Sequence, residues 1–177
     1  MNFIIGKSDE KMKIRRRVTD IIICLLLIGI DYITKLLAIR FLKGHQNVIL
    51  LKNVLELEYF ENFGAAFSSF VGKRVLLIAA SLLVIIFLLW KWLLLPEGKR
   101  YAGMRFCILL LVGGAMGNLI DRIVRGYVVD FIYFVPIDFP KFNFADMCVT
   151  CGVVLLGVLL FFYYDEKELD LFLSFKK

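Results

Sequence analysis

Four apolar runs, each about twenty residues long, constrain this chain more than anything else in it. They extend from Val18 to about Ile39, from Val75 to Leu95, from about Met104 to Ile123 and from about Ala145 to Tyr164. A bilayer core about 30 Å thick calls for about 20 apolar residues in a helix. Inside it every backbone polar group must be satisfied within the segment, which a helix does. At 177 residues and 60% hydrophobic the chain is too apolar for a soluble domain of its size. The expected fold class is therefore an all-α membrane protein with four transmembrane helices in one compact domain, residues 18–164.

The charges say which way the runs cross. The net charge of +6 is no nucleic-acid signal, because much of it flanks the apolar runs: Arg15, Arg16 and Arg17 before the first, Lys99, Arg100 and Arg105 around the turn at Pro96–Gly98. Basic residues beside a span mark the cytoplasmic side. The N-terminal segment 1–17 and the tail 165–177 are then cytoplasmic. The first run is too long for a signal peptide, carries Asp31 and Lys35, and lacks a small-residue cleavage site, so it is a retained helix. Trp90 and Trp92 suit an interfacial belt, and Lys91 is expected to snorkel.

The longest polar insert, 40–74, alternates Leu55, Leu57 and Tyr59 with Glu56, Glu58 and Phe60, the period of a strand. Val48–Leu51 is a second short strand, with Lys52 and Asn53 at the turn. Together they predict a small amphipathic β-sheet on the outer, extracytoplasmic membrane surface between helices 1 and 2. In the stretch Asn62 to Ser69 that follows, Gly64 permits an unusual backbone angle. Residues 124–144 are expected to be a loop between helices 3 and 4.

Polar residues inside a membrane are costly and are functional candidates by default. At about 1.5 Å per residue, Asp31 lies about 20 Å up from the inner face, Asn118 at a similar height, and Asp121 and Arg122 about one turn higher. Asp146 opens the fourth helix near the same face, and Asp130 lies in the preceding loop. These groups share one layer, the outer third, as a common site open to outside water requires. Each also has a plain structural explanation. Asp31 and Lys35, four apart, can neutralise each other. Gly113 and Gly117 form a GxxxG packing motif. Arg122 can reach lipid phosphate, and Asp121 can pair with a nearby base. Asn143 and Asp146 match a capping box. Cys24, Cys107, Cys148 and Cys151 all fall in apolar runs and are expected to be packing thiols, Cys148 and Cys151 despite their CxxC spacing. His45 has no second ligand nearby, so neither a metal nor another cofactor is expected.

No Ser–His pair and no phosphate-binding glycine loop follow from the sequence; carboxylates remain. Two close aspartates tend to share one proton. One can then accept a proton from water while the other polarises a carbonyl. A membrane aspartic hydrolase is one reading. A proton-coupled transporter using the same carboxylates is the other, but it needs a polar path across the whole bilayer. Only Ser81 and Thr150 appreciably interrupt the apolar inner halves, and Thr150 is near the outer end, which favours a one-sided site.

The motifs DYITK at 31–35, NFGAAFS at 62–68, GGAMGNLIDR at 113–122, VVDF at 128–131 and FNFAD at 142–146 resemble, in order and spacing, those of the lipoprotein signal peptidases, signal peptidase II of bacteria. The resemblance spans nearly the whole chain apart from the first 17 residues and the tail. It implies a multi-pass enzyme of the cytoplasmic (inner) membrane that cleaves prolipoproteins just before a cysteine already carrying diacylglycerol. Asp130 and Asp146 match the catalytic pair. Asp31, Lys35, Asn62, Gly64, Asn118, Arg122 and Asn143 match residues that line and orient the site, while Asp121 is expected to be structural. The insert 40–74 matches a surface cradle that clamps substrate. The implied partners are diacylglyceryl-modified prolipoproteins, membrane lipids and globomycin-type inhibitors occupying the same site, with no nucleic acid and the chain acting as a monomer.

Overall fold

The computed structural model describes residues 2–64, 72–96, 98–166 and 168. Residues 65–68 of the NFGAAFS motif and most of the tail lie outside the described residues. Helices α1 (Asn2–Phe41), α2 (Arg74–Leu94), α3 (Ala102–Val124) and α4 (Phe144–Phe162) alternate with strands β1 (Val48–Leu51), β2 (Leu55–Asn62) and β3 (Val128–Phe134). All four helices are long and apolar enough to cross a membrane. Their outward residues, such as Leu25, Leu83 and Val154, are large, apolar and bare. That is a surface only lipid tolerates.

α3 is the hub. In its most apolar stretch 61% of residues are buried, against 17% in each of the other three helices. Its small residues are the reason. A methyl group on Gly113 would press on Leu27 of α1. One on Gly114 would run into the Ala145 carbonyl of α4, and one on Gly117 into the Asp31 carboxylate. Lacking Cβ atoms, these glycines let α1 and α4 close on α3. Further along, Met104, Ile108 and Val112 of α3 pack with Ile85 and Leu88 of α2. At that end Trp92 donates from its indole nitrogen to Asp20 at 2.9 Å, and the Arg105 guanidinium binds the Pro96 carbonyl at 2.8 Å. Lys91, expected to snorkel, is instead buried, its ammonium 4.8 Å from the Trp90 ring centre.

Two elements differ from the sequence expectation. α1 does not begin at residue 18 but continues through the polar segment from Asn2, for 40 residues. The sheet is not confined to the insert between α1 and α2. It has three strands in the order β1-β2-β3, and the third comes from the segment 124–144 that was expected to be a loop. The physical reason lies in the burial of β3: Val128, Val129, Asp130 and Phe131 are all buried. Val129 and Phe131 pack on Ala38 and Leu42 at the end of α1. Val128 and Asp130 face the opposite way, into a cavity. With both faces covered, the apolar–polar alternation that marks a half-exposed strand is lost.

Candidate active site

β2 and β3 run antiparallel, with Phe60 opposite Asp130 and Asn62 opposite Val128. These four residues share one face of the sheet and line a cavity of about 630 Å³. α3 contributes Asn118 and Arg122 to it, one turn apart, and α4 contributes Asp146. The sheet end of the same cavity is aromatic and charged, with Phe60, Tyr133, Phe139 and Lys141, while Met147 and Val149 make its flank on α4 apolar.

How Asp130 comes to face Asp146 follows from short-range structure. Beyond β3 the chain turns through Val135–Ile137 and Asp138, whose φ is +47°. It then returns so that Phe142 pairs with β3: its carbonyl accepts from Ile132 at 2.9 Å and its N–H donates to the Ile132 carbonyl at 3.0 Å. The next residue, Asn143, is the N-cap of α4. Its side-chain oxygen accepts from the Asp146 N–H at 3.0 Å, and the Asp146 carboxylate accepts from the Asn143 N–H at 3.1 Å. This reciprocal capping box satisfies two orphan donors of the first turn. The Asn143 amide nitrogen meanwhile donates to Asp130 at 2.6 Å. One fully buried asparagine thus joins the two carboxylates.

The amides complete the shell. Asn62 donates to the second oxygen of Asp130 at 2.9 Å, and Asn118 to the second oxygen of Asp146 at 2.8 Å. Asn62 also accepts from the Gly64 N–H at 2.9 Å, and the Gly64 carbonyl accepts from Arg122 at 3.0 Å. Arg122 is therefore turned into the protein, not to lipid phosphate. Burial, and then the nearby Asp146 charge, push the Asp130 carboxyl up to about 7, against the opposing hydrogen bonds from Asn62 and Asn143.

Asp31, Lys35 and Asp121 stand behind this wall. All three are buried. The Lys35 ammonium lies 2.8 Å from Asp31 and 3.2 Å from Asp121, and Asp121 is also paired with Arg125. Asp31 accepts from the Ala145 N–H of α4 at 2.9 Å, and Asp121 from the Val129 N–H of β3 at 3.0 Å. An ion cluster with every charge answered thus clamps α1, α3, α4 and β3. Removing one member of such a cluster leaves an uncompensated buried charge. Of the ten residues singled out in the sequence, Asn62, Asn118, Arg122, Asp130 and Asp146 line the cavity. Asn143 and Gly64 bond to the residues that line it, and Asp31, Lys35 and Asp121 form the cluster behind.

Sequence reasoning missed Arg74, at the start of α2. Its guanidinium donates to the Arg122 carbonyl at 2.7 Å and the Ile123 carbonyl at 2.8 Å. These are carbonyls of the last turn of α3, which have no intrahelical partner. A basic residue opening one helix carries no local sign that it caps another.

Four bilayer-length helices carrying two facing carboxylates at one end of the bundle, in a cavity part polar and part apolar, make this a membrane protein equipped for acid–base chemistry on an amphipathic substrate. The sequence profile of signal peptidase (SPase) II matches residues 23–162. A lipoprotein signal peptidase of Clostridium novyi is 38% identical over 144 residues, 80% of this chain and 96% of its own. One from Caldicellulosiruptor bescii is 42% identical over 147 residues, covering 83% and 91%. A bacterial membrane enzyme solved in meso at 2.3 Å superposes with a TM-score of 0.72 at 31% identity, over 80% of this chain and 87% of that one. The chain belongs to the signal peptidase II family.

Proposed function

We propose that this chain is a membrane-embedded aspartic endopeptidase that removes the signal peptide from prolipoproteins, cleaving before the diacylglyceryl-modified cysteine, with Asp130 and Asp146 as its catalytic pair. The observation that carries the assignment is the joint position of the two carboxylates in one cavity, coupled through Asn143. Burial and the neighbouring Asp146 charge push the Asp130 carboxyl up to about 7, so the two carboxyls share one proton near neutral pH. A water between the carboxylates gives a proton to the ionised one as its oxygen adds to the scissile carbonyl carbon. The protonated partner gives its proton to the carbonyl oxygen. The tetrahedral diol then collapses. The peptide nitrogen takes the proton held by the first carboxyl and leaves as the free amine of the lipidated cysteine, while one diol hydroxyl gives its proton to the other carboxylate, so that the signal peptide ends in a new carboxyl group and the pair again holds one proton. No cofactor enters this sequence, and microscopic reversal of roles returns the pair to its starting state.

Arg122, Asn62 and Asn118 orient the pair and the peptide; Gly64, Asn143, Asp31 and Lys35 hold those groups in place, and Asp121 is structural. The enzyme sits in the cytoplasmic membrane with both termini inside, the sheet and cavity at the outer face, and all site groups drawn from one chain, as a monomer requires. Globomycin-type inhibitors compete for the same cavity. The test is single-turnover cleavage of a lipidated prolipoprotein by well-folded Asp130→Asn and Asp146→Asn proteins. Each is expected to lose cleavage by at least about a thousandfold while still binding substrate, and the losses are not to add, because either change disables the same unit. Cleavage by either variant at near wild-type rate would remove that residue from the chemistry.

A further inference from the structure

Lys35 has no contact with the cavity, yet its bonding is more specific than charge balance demands. An ammonium has three N–H donors. Two go to Asp31 and Asp121, at 2.8 and 3.2 Å. The third goes to the side-chain oxygen of Asn118 at 2.9 Å. That oxygen also accepts from Asn143 at 3.2 Å, while the Asn118 nitrogen donates to Asp146 at 2.8 Å. A carboxamide has a donor end and an acceptor end of nearly the same shape. Which end faces Asp146 decides whether that carboxylate meets a hydrogen or a repelling oxygen. With Lys35 on the oxygen, a half-turn of the amide would set its NH2 against two donors and its oxygen against a carboxylate.

Building on the assignment of Asp130 and Asp146 as the catalytic pair, we propose that Lys35 is a positioning residue for the cleavage step: its bond to the Asn118 oxygen fixes the amide so that its NH2 holds Asp146 in the reactive arrangement. A charge-assisted hydrogen bond is roughly twice as strong as a neutral one, which suits a fixing role. The alternative is a purely structural cation that neutralises Asp31 and Asp121. The two roles separate because Asp121 retains Arg125 when Lys35 is gone, and because an asparagine at position 31 still offers an oxygen to the Ala145 N–H.

The decisive protein is Lys35→Met combined with Asp31→Asn, which removes the two charges together and leaves no stranded ion. Thermal unfolding establishes its fold, and cleavage of a lipidated prolipoprotein gives kcat and KM separately. If Lys35 positions the pair, kcat falls about 10- to 100-fold, the usual scale for losing an outer orienting group, while KM stays within about twofold. In an Asn118→Ala background the same two changes lower kcat no further, since the group they act through is absent. Lys35→Gln with Asp31→Asn, which restores a donor towards Asn118, recovers most of the rate. If the methionine variant does not fold, Lys35→Leu with Asp31→Asn, which also lacks a donor, carries the cycle with Asn118→Ala instead. A folded Lys35→Met/Asp31→Asn protein with wild-type kcat overturns the proposal, and so does a loss of equal size with and without Asn118. Asp130→Asn is measured alongside. If it is inactive while the Lys35 variants cleave normally, only the role of Lys35 falls; if it cleaves normally, the aspartic assignment itself falls.

Discussion

Asp130 sits in an environment that departs far from its chemistry in water. It is 1% exposed, and its carboxyl is pushed up to about 7 by burial first and by Asp146 second. Folding therefore favours its protonated form. Stability from this source is fully present at acid pH, declines as pH rises from about 4, the ordinary carboxylate value, and is gone above about 7. Asp130→Asn, which carries no charge at any pH, should match the wild type in stability at about pH 4 and below. It should exceed it by up to a few kcal/mol at pH 8. Thermal unfolding of both proteins in the same micelles at about pH 4 and about pH 8 measures this, and parallel behaviour at the two values would show that Asp130 ionises freely. The carboxylates themselves were legible in the sequence because an acid near a membrane span is rare enough to stand out. The joint between them was less so. Asn143 reads locally as an N-cap, and it is one. That its amide also reaches Asp130 depends on Phe142 pairing with Ile132, a contact no local pattern announces.

The helices were legible as elements because their apolar length exceeds what any soluble element needs. Both strands of the insert were legible too, β2 from its alternation and β1 from a short apolar run before a turn. β3 was not, because a strand covered on both faces loses its alternation, and Asp130 on its inner face breaks the apolar run as well. The register of helix on helix was legible only as a hint in Gly113 and Gly117, and the geometry adds Gly114 as the tightest contact with α4 backbone. A methyl group there would meet the Ala145 carbonyl and the Val149 side chain. The carbonyl is backbone at the first turn of α4 and cannot swing aside. Gly114→Ala should therefore destabilise the protein by about 1–3 kcal/mol, the usual cost of overpacking. It should also lower cleavage, because the turn it displaces carries Asp146. Gly157→Ala, on α4 with open space around the added methyl, is the matched comparison and should leave both unchanged. Melting temperature and cleavage rate of the two variants, side by side, decide the matter. Equal behaviour would mean that α4 yields freely at its first turn and that its seat on α3 does not set the site.

For the whole molecule, the proposed sidedness rests on charge and on the uneven character of the two ends. At one end lie Arg17, 5.6 Å above the Trp92 ring, the Trp92–Asp20 hydrogen bond, and Lys99 and Arg100 in the turn before α3. At the other lie the cavity and a sheet whose first strand, Val48–Leu51, is exposed at all four positions although every residue is apolar. A bare apolar edge strand invites pairing with other chains in free solution; against the headgroup region of a bilayer it is at home. In the proposed orientation the basic end is cytoplasmic, as the positive-inside rule expects, which would rest the sheet on the outer surface, where water and the exported part of a substrate are both at hand. Single cysteines in a protein lacking Cys24, Cys107, Cys148 and Cys151 test this arrangement. Leu50→Cys, on the exposed strand, should react with a membrane-impermeant maleimide on intact cells from which any outer wall layer has been made permeable. Lys99→Cys should react only after the cytoplasmic membrane is broken. The opposite pattern would invert the protein and put the carboxylate pair on the cytoplasmic side, out of reach of any chain already translocated. Labelling of both positions in intact cells would mean that the basic turn at Lys99 does not hold its side, and that charge alone does not orient these four helices.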